Sequence, residues 1–367
     1  MKKQRVLVLV QQGLVPREDV EPSEVKPAWR MEWDVVTTLR REGHEVRVIE
    51  VHDDLSPIRP SVDDFRPTIV FNLLEGFANI GVFDQNVVSY LELLRIPYTG
   101  CNPRGLTLSR DKALARKLLH YHRIPTPDFV MVPLGRKPTL PKRLGFPLIV
   151  KSLTYESSTG ISQASVVRNE EQLRARVRFI HETILTPAIV EQYVDGRELY
   201  VGVLGNQRLR VFPVWEMSFD GMPAGSWRIA TSRVKWNVKY QKKHGIDTAE
   251  AKLAEGLSER IQHLAKRAYR ALELSGYARI DFRVDGAGQL YVLESNPNPQ
   301  LAREEDFAQS AAHAGVGYGP LLERIMGLGL QWQPHRMAID WGPREAGPVE
   351  RPTERRPEPP GGEAPEG

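Results

Sequence analysis

The sequence predicts an α/β protein that passes into α+β, and three observations carry that prediction. An uninterrupted apolar run, Val6-Leu7-Val8-Leu9-Val10, has the composition of a strand buried on both faces, as in a parallel sheet. Strand-like and helix-like stretches alternate from there to about residue 105, the order that builds parallel βα units. Late in the chain, Tyr277 to Phe282 and Leu290 to Asn296 alternate around Asp285-Gly286-Ala287-Gly288, a hairpin signal.

In chain order, Val6 to Val10 is strand one. A helix from about Ala28 to Glu42, a strand from Glu45 to Val51 and a strand from Pro67 to Asn72 follow. A helix from Asp84 to Leu94 then leads to Ile96-Pro97-Tyr98-Thr99-Gly100. Ligands of open α/β sheets collect at the carboxyl ends of strands, here Gln11-Gln12-Gly13, Asn72 to Gly76 and Thr99-Gly100. No G-x-G-x-x-G follows strand one, which disfavours a dinucleotide site. A helix from Ser109 to His122 runs into the extended connector Ile124-Pro125-Thr126-Pro127. The expected units are an α/β domain over 1–105, a central region over 106–205 that includes a small α+β domain, a third over 206–330 and a disordered Pro-rich tail over 331–367. The third contains a helix from Ala249 to Ser275, the hairpin and a closing helix near Gly319 to Met326.

Composition narrows the partners. Fifty Lys and Arg against 46 Asp and Glu leave a net charge of +4, scattered rather than massed, so no nucleic-acid partner is expected. The single cysteine, Cys101, excludes an internal disulfide and fits a reducing compartment. The apolar part of the N-terminus is short for a signal peptide and no stretch reaches the length of a membrane span, so a cytoplasmic protein with no membrane partner is expected.

The hairpin carries the strongest chemical signal. Asp281 lies among apolar neighbours, and Glu294 and Asn296 sit two apart, so period-two alternation aims the latter pair to one side. Three hard oxygen ligands suit Mg²⁺. Arg279, on the face of Asp281, can stabilise negative charge developing beside such a metal. Upstream, Pro147 to Lys151 is a short apolar strand ending in lysine, followed by Tyr155-Glu156-Ser157-Ser158-Thr159-Gly160-Ile161, whose small residues let backbone N–H groups close over phosphates. Ala188 to Val201 reads as strand, turn, strand, with Glu191 and Glu198 placed either to meet a nucleotide or to form structural salt bridges.

Taken in order, Asp111-Lys112, Lys151 with its Ser/Gly loop, Glu191 to Glu198, Lys239-Tyr240, Arg279-x-Asp281 and Glu294-x-Asn296 resemble the ATP-grasp superfamily, and most closely the D-alanine–D-alanine ligase-like family. The resemblance runs from about Val6 to Met326. It implies an ATP-grasp fold preceded by a substrate-side α/β domain, and an ADP-forming ligase that makes an amide or peptide bond through an acyl phosphate. It implies that Lys112 and Lys151 contact ATP, that Ser157, Ser158 and Thr159 cover its phosphates, that Glu191, Gln192, Tyr193 and Val194 hold adenine and that Glu198 meets the ribose. Lys239 would reach the phosphates from a second mobile loop, with Lys235 competing for that role. Asp281, Glu294 and Asn296 would bind two Mg²⁺ ions, for which Mn²⁺ can substitute, while Arg279, Lys239 and Ser158 serve the reaction. Small amino acids or peptides would be the substrates and a homodimer the assembly.

The substrate end departs from the family. Its Gly-Gly-x-Ser-x-Glu after strand one is Gln11 to Glu18 here, and its His-Gly after strand three is Glu75-Gly76. Glu75 either binds a substrate ammonium or caps a helix. The family glycine that lends an N–H to the oxyanion hole is Gln300, and Arg303 to Ser310 differs from the short turn that meets the second substrate, with Ser310 as a candidate contact. Changed substrates are therefore expected. The competing readings are D-alanine–D-alanine ligase itself, an ATP-grasp kinase and a catalytically silent nucleotide-binding regulator.

Overall fold

A computed structural model describes residues 2–17, 20–21, 24–155 and 158–334, with the side chains of Trp236 and Val238 outside that description. The expected tail falls almost wholly beyond these residues. β1 (Arg5–Gln11) is the middle strand of a parallel sheet, and Val6 to Val10 are fully buried because both faces are covered. α1 (Arg30–Arg41) follows a 3-10 turn at Pro27–Trp29, and then come β2 (Glu45–Val51), α2 (Ile58–Phe65), β3 (Ile69–Asn72) and α3 (Asp84–Leu93). The strand order is β2-β1-β3. Tyr98 adds a single parallel bridge to Val70 rather than a fourth strand.

The helix expected from Ser109 to His122 is two helices, α4 (Pro103–Arg110) and α5 (Lys112–Tyr121). Asp111 is extended between them, and its carboxylate accepts the Leu114 N–H at 2.9 Å, a side-chain cap that starts α5 at Lys112.

β4 (Phe129–Val132), β5 (Leu148–Ser152), β6 (Val166–Val167), α6 (Glu170–Phe179) and β7 (Ala188–Gln192) form a small α+β layer, an antiparallel sheet in the order β4-β7-β5-β6. Leu173 and Val177 of α6 fill its core against Leu148, Val150 and Val190. The third sheet uses β8 (Arg197–Leu204) and β9 (Arg210–Met217), then, after α7 (Ser232–Trp236) and α8 (Val238–Lys243), β10 (Thr248–Glu250). α9 (Leu257–Ala271), β11 (Tyr277–Val284), β12 (Leu290–Pro297), α10 (Asp306–His313) and α11 (Tyr318–Gln331) complete it, with strand order β10-β9-β8-β11-β12.

Three expectations change here. The passage from the second sheet to the third falls at Tyr193 to Gly196 rather than near residue 205, because β7 and β8 of the expected strand, turn, strand belong to different sheets. Gly196 permits the crossing, since a Cβ there would lie 2.0 Å from the Val284 carbonyl oxygen. The helix expected from Ala249 starts only at Leu257, because residues 248–250 pair with β9. The closing helix is longer than expected and reaches Gln331. Among the described residues, no helix is long and apolar enough to cross a membrane.

Candidate active site

The β11–β12 hairpin sets the floor of the site. Arg279 pairs with Asn296 and Asp281 with Glu294, but Phe282 pairs with Val292, so Leu293 is the extra residue of a β-bulge. The bulge resets the alternation of β12, which turns Leu293, Glu294 and Asn296 away from the side that Val292 and Ser295 bury. Directly opposed residues share a face, so Asp281 and Glu294 stand side by side.

A cleft of about 800 Å³, open solvent included, lies between the second and third sheets. Lys151 and Ile149 of β5 and the run Glu191-Gln192-Tyr193-Val194 line one side; Glu198, Asp281, Arg283 and Glu294 line the other. At one end Ile149, Ile161, Val166, Tyr193 and Ile229 cluster, and the Tyr193 and Trp227 rings meet edge to face at 4.9 Å. That apolar end suits a flat heterocycle. The other end is cationic, with Lys112, Lys151 and Lys235 around Glu294. Burial would raise the Glu294 carboxyl, but Lys112, Lys235, Lys151 and Arg279 together hold it below its usual range. Burial lowers Lys112 to about 8 against the pull of Glu294.

Two expected contacts are already engaged within the protein. Lys151 Nζ donates to Glu191 Oε2 at 3.1 Å, and Arg116 donates through NH2 to Glu191 Oε1 at 2.5 Å. Burial alone would raise Glu191; these two cations hold it low. Glu198 accepts from Arg283 NH2 at 2.5 Å and from the Tyr200 hydroxyl at 2.9 Å. Arg283 and Arg116 went unnoticed in the sequence, since neither lies in a glycine-rich or acidic motif. A basic residue one turn after Lys112, on its helix face, was the available signal for Arg116.

The two loops over the cleft hold each other. The Ser158 hydroxyl donates to the Ala230 carbonyl at 2.5 Å, the Ser232 hydroxyl donates to the Ser158 carbonyl at 2.6 Å, and Gln163 bonds the Trp227 backbone through both N–H and C=O. Ser158 and Thr159 both line the cleft, although Ser158 spends its hydroxyl on the neighbouring loop. Glu156 and Ser157 lie outside the described residues. Of the two competing lysines, Lys235, on α7, lines the cleft, whereas the chain breaks helix at Asn237 and leaves Lys239 exposed on α8.

The oxygen donors fit a divalent cation. Asn296 Nδ2 is buried without a hydrogen-bond partner, and because amide O and N exchange places by rotation, the side chain has unspent bonding capacity beside Glu294. Both Asp281 oxygens accept from Arg279, at 2.8 and 2.9 Å, while burial pushes the Asp281 carboxyl up. Among the described residues no group of three or more His, Cys, Asp or Glu is arranged for a metal. Two carboxylates and one amide are the set, which leaves positions for water and phosphate oxygens as Mg²⁺ prefers.

The residues expected at the substrate end fall partly at the carboxyl edge of the first sheet. Glu75 follows β3 and is exposed at the rim, yet crowding around its carboxyl raises it against the pull of Arg110. It caps no helix, since α3 starts after Phe83. Gln300 is half-buried in the loop after β12. Ser310, the candidate contact of the second substrate, is buried in α10 and donates its hydroxyl to the Phe307 carbonyl at 3.0 Å. Glu32, in the first turn of α1, was missed. It is 3% exposed, and burial first, with Glu75 adding, lifts its carboxyl to about 7. Its distance of 21 residues beyond Gln11 hid it; an acidic residue in the first turn of the helix after strand one was the available sign.

The family model described as D-ala D-ala ligase C-terminus matches residues 118–327. The chain is 34% identical over 251 residues to the D-alanine--D-alanine ligase of Desulfotalea psychrophila, covering 68% of this chain and 74% of that one. It is 31% identical over 315 residues to the uncharacterized protein y4sG of Sinorhizobium fredii, covering 83% and 89%. In three dimensions it resembles the D-alanine--D-alanine ligase from Bacillus anthracis complexed with ATP, with a TM-score of 0.69 over 89% of this chain and 98% of that one, at 22% identity. The fold is thus ATP-grasp, and the chain belongs to the D-alanine–D-alanine ligase-like family of ATP-dependent, ADP-forming carboxylate–amine ligases.

Proposed function

We propose that this ligase joins an amino acid or related small carboxylate to an amine other than a second D-alanine. The observation that supports the ligase chemistry most is the directly opposed pair Asp281 and Glu294, flanked by Arg279 and facing Lys112, Lys151 and Lys235. A carboxylate is a poor electrophile. In the proposed reaction a donor carboxylate oxygen forms a bond to the γ-phosphorus of ATP as the bond to ADP breaks, giving an acyl phosphate. The amine nitrogen then attacks the acyl carbon and loses a proton, the C–O bond to phosphate breaks, and free phosphate leaves. The three lysines offset charge on the transferring group, and Arg279 steadies the tetrahedral stage. The interlocked loops of Ser158 and Ala230 exclude water, which would hydrolyse the acyl phosphate.

Family membership carries the use of ATP, a divalent metal and small amino-acid substrates. Asp281, Glu294 and Asn296 are the residues proposed to hold the metal, as two Mg²⁺ ions with Mn²⁺ as a substitute. Charge neutralisation on the phosphates is the chemistry that metal supplies. Gln192 to Val194 and the Tyr193–Trp227 end are assigned to the base, and Glu198 to the ribose. A homodimer in the cytoplasm completes the proposal.

Glu32 and Glu75 are assigned to the donor ammonium. Glu32 is buried in the first turn of α1, where a substrate ammonium would offset the cost of burying its charge. At the proposed acceptor end stand Glu304, Glu305 and Asp306, so an acceptor that brings its own carboxylate there is disfavoured. Coupled ADP and phosphate release, measured with amino acids and amines offered singly and in pairs, tests the reading. Equal ADP and phosphate only with two partners supports it. D-alanine alone as the best substrate would restore the cell-wall dipeptide activity, ADP without phosphate would indicate a kinase, and no ADP with any pair would leave a nucleotide-binding regulator.

A further inference from the structure

We infer that Arg116 is a positioning residue that ties the phosphate-binding lysine of one sheet to the metal-binding strand of another. The inference rests on the nucleotide and metal assignments proposed above. Arg116 is 2% exposed and lies one turn after Lys112 on the buried face of α5. Its Nε and NH2 both donate to Glu191 Oε1, at 3.2 and 2.5 Å. Its NH1 donates to the Leu293 carbonyl at 2.7 Å.

Each contact has a consequence for the cleft. Glu191 is one carboxylate shared by two cations, with Oε1 given to Arg116 and Oε2 to Lys151. Because Arg116 takes the first oxygen, Lys151 is oriented by Glu191 without being neutralised by it, and positive charge is left over for a phosphate. Leu293 is the bulge residue, so the bond to its carbonyl pins the backbone step that aims Glu294 at Asp281. The planar, rigid guanidinium makes both contacts at once, which an ammonium on a flexible stem does not. Arg116 does not line the cleft; it acts through Lys151 and Glu294.

The test measures binding of a non-hydrolysable ATP analogue by calorimetry across a Mg²⁺ titration, with no amino-acid substrate present, on wild type, Arg116→Met and Arg116→Lys. Folding is followed by thermal melting. Arg116→Met is expected to weaken the analogue about tenfold and to raise the Mg²⁺ concentration at half-effect about tenfold or more. Arg116→Lys, which keeps the charge beside Glu191 but cannot reach Leu293 as well, is expected to recover analogue affinity while the Mg²⁺ midpoint stays shifted. Folded Arg116→Met with wild-type affinity and midpoint would overturn the inference, as would a wild-type Mg²⁺ midpoint in Arg116→Lys. Should Arg116→Met not fold, the Arg116→Lys midpoint alone decides. A wild-type protein that binds no analogue would instead sink the proposed function.

Discussion

The nucleotide cleft and the substrate end are built in opposite ways. In the cleft, functional side chains sit on strands whose register places them, as when Asp281 faces Glu294 across β11 and β12, and their partners are buried charges at short distances. At the substrate end they sit on loops and a helix start, with Glu32 in the first turn of α1, Glu75 after β3 and Gln300 after β12. Strand register is a local rule that motifs can carry; loop placement depends on packing between distant segments. The chemistry is therefore held by the part of the fold that tolerates little change, and specificity by the part that tolerates more.

The largest expected effect is on the strand-held side. Glu294→Gln should lower coupled ADP release about a thousandfold, several kcal/mol of charge stabilisation, with little change in melting temperature. A residual rate within tenfold of wild type would break the contrast. Next, Lys235→Met should cost about a hundredfold in kcat/KM for ATP, whereas Lys239→Met, at an exposed position, should stay within about twofold. The reverse order would return the phosphate role to Lys239.

On the loop-held side the expected effects are smaller and specific to the donor. Glu32→Gln should raise the donor KM about thirtyfold, equivalent to roughly 2 kcal/mol, while KM for ATP holds. The sign of the pH dependence follows from the raised carboxyl: Glu32 is neutral below about 7 and charged above it. Donor KM should therefore fall as pH rises toward 7 and level off beyond, and Glu32→Gln should flatten that slope. A slope unchanged in the variant would remove Glu32 from the site. The smallest effect is Ser310→Ala, about 1 kcal/mol of stability with kcat and KM unchanged, because its hydroxyl serves only α10.

Legibility followed the same division. The parallel sheet and the hairpin could be read because apolar runs and period-two alternation report burial directly, and the family motifs supplied the order of the cleft residues. The bulge at Leu293 could not be read, since an extra residue in one strand shows only against its partner. Nor could the passage of β7 and β8 into different sheets, because a short strand–turn–strand stretch looks the same whether its strands pair or part. The break at Asp111 hid inside a continuous helical pattern, although Asp is a good cap. Lys235 and Lys239 are four apart, and only the break at Asn237 separates their surroundings.

The central claim is that the donor carboxylate is activated as an acyl phosphate in the cleft floored by Asp281 and Glu294. Once the release panel has identified the donor, the most direct measurement supplies it with ¹⁸O in both carboxylate oxygens and determines the label in the phosphate released with acceptor present. The account predicts one ¹⁸O atom in each phosphate, transferred when the acyl carbon loses its phosphate oxygen, and labelled phosphate formed about a thousandfold more slowly by Glu294→Gln. Phosphate released without label would contradict it.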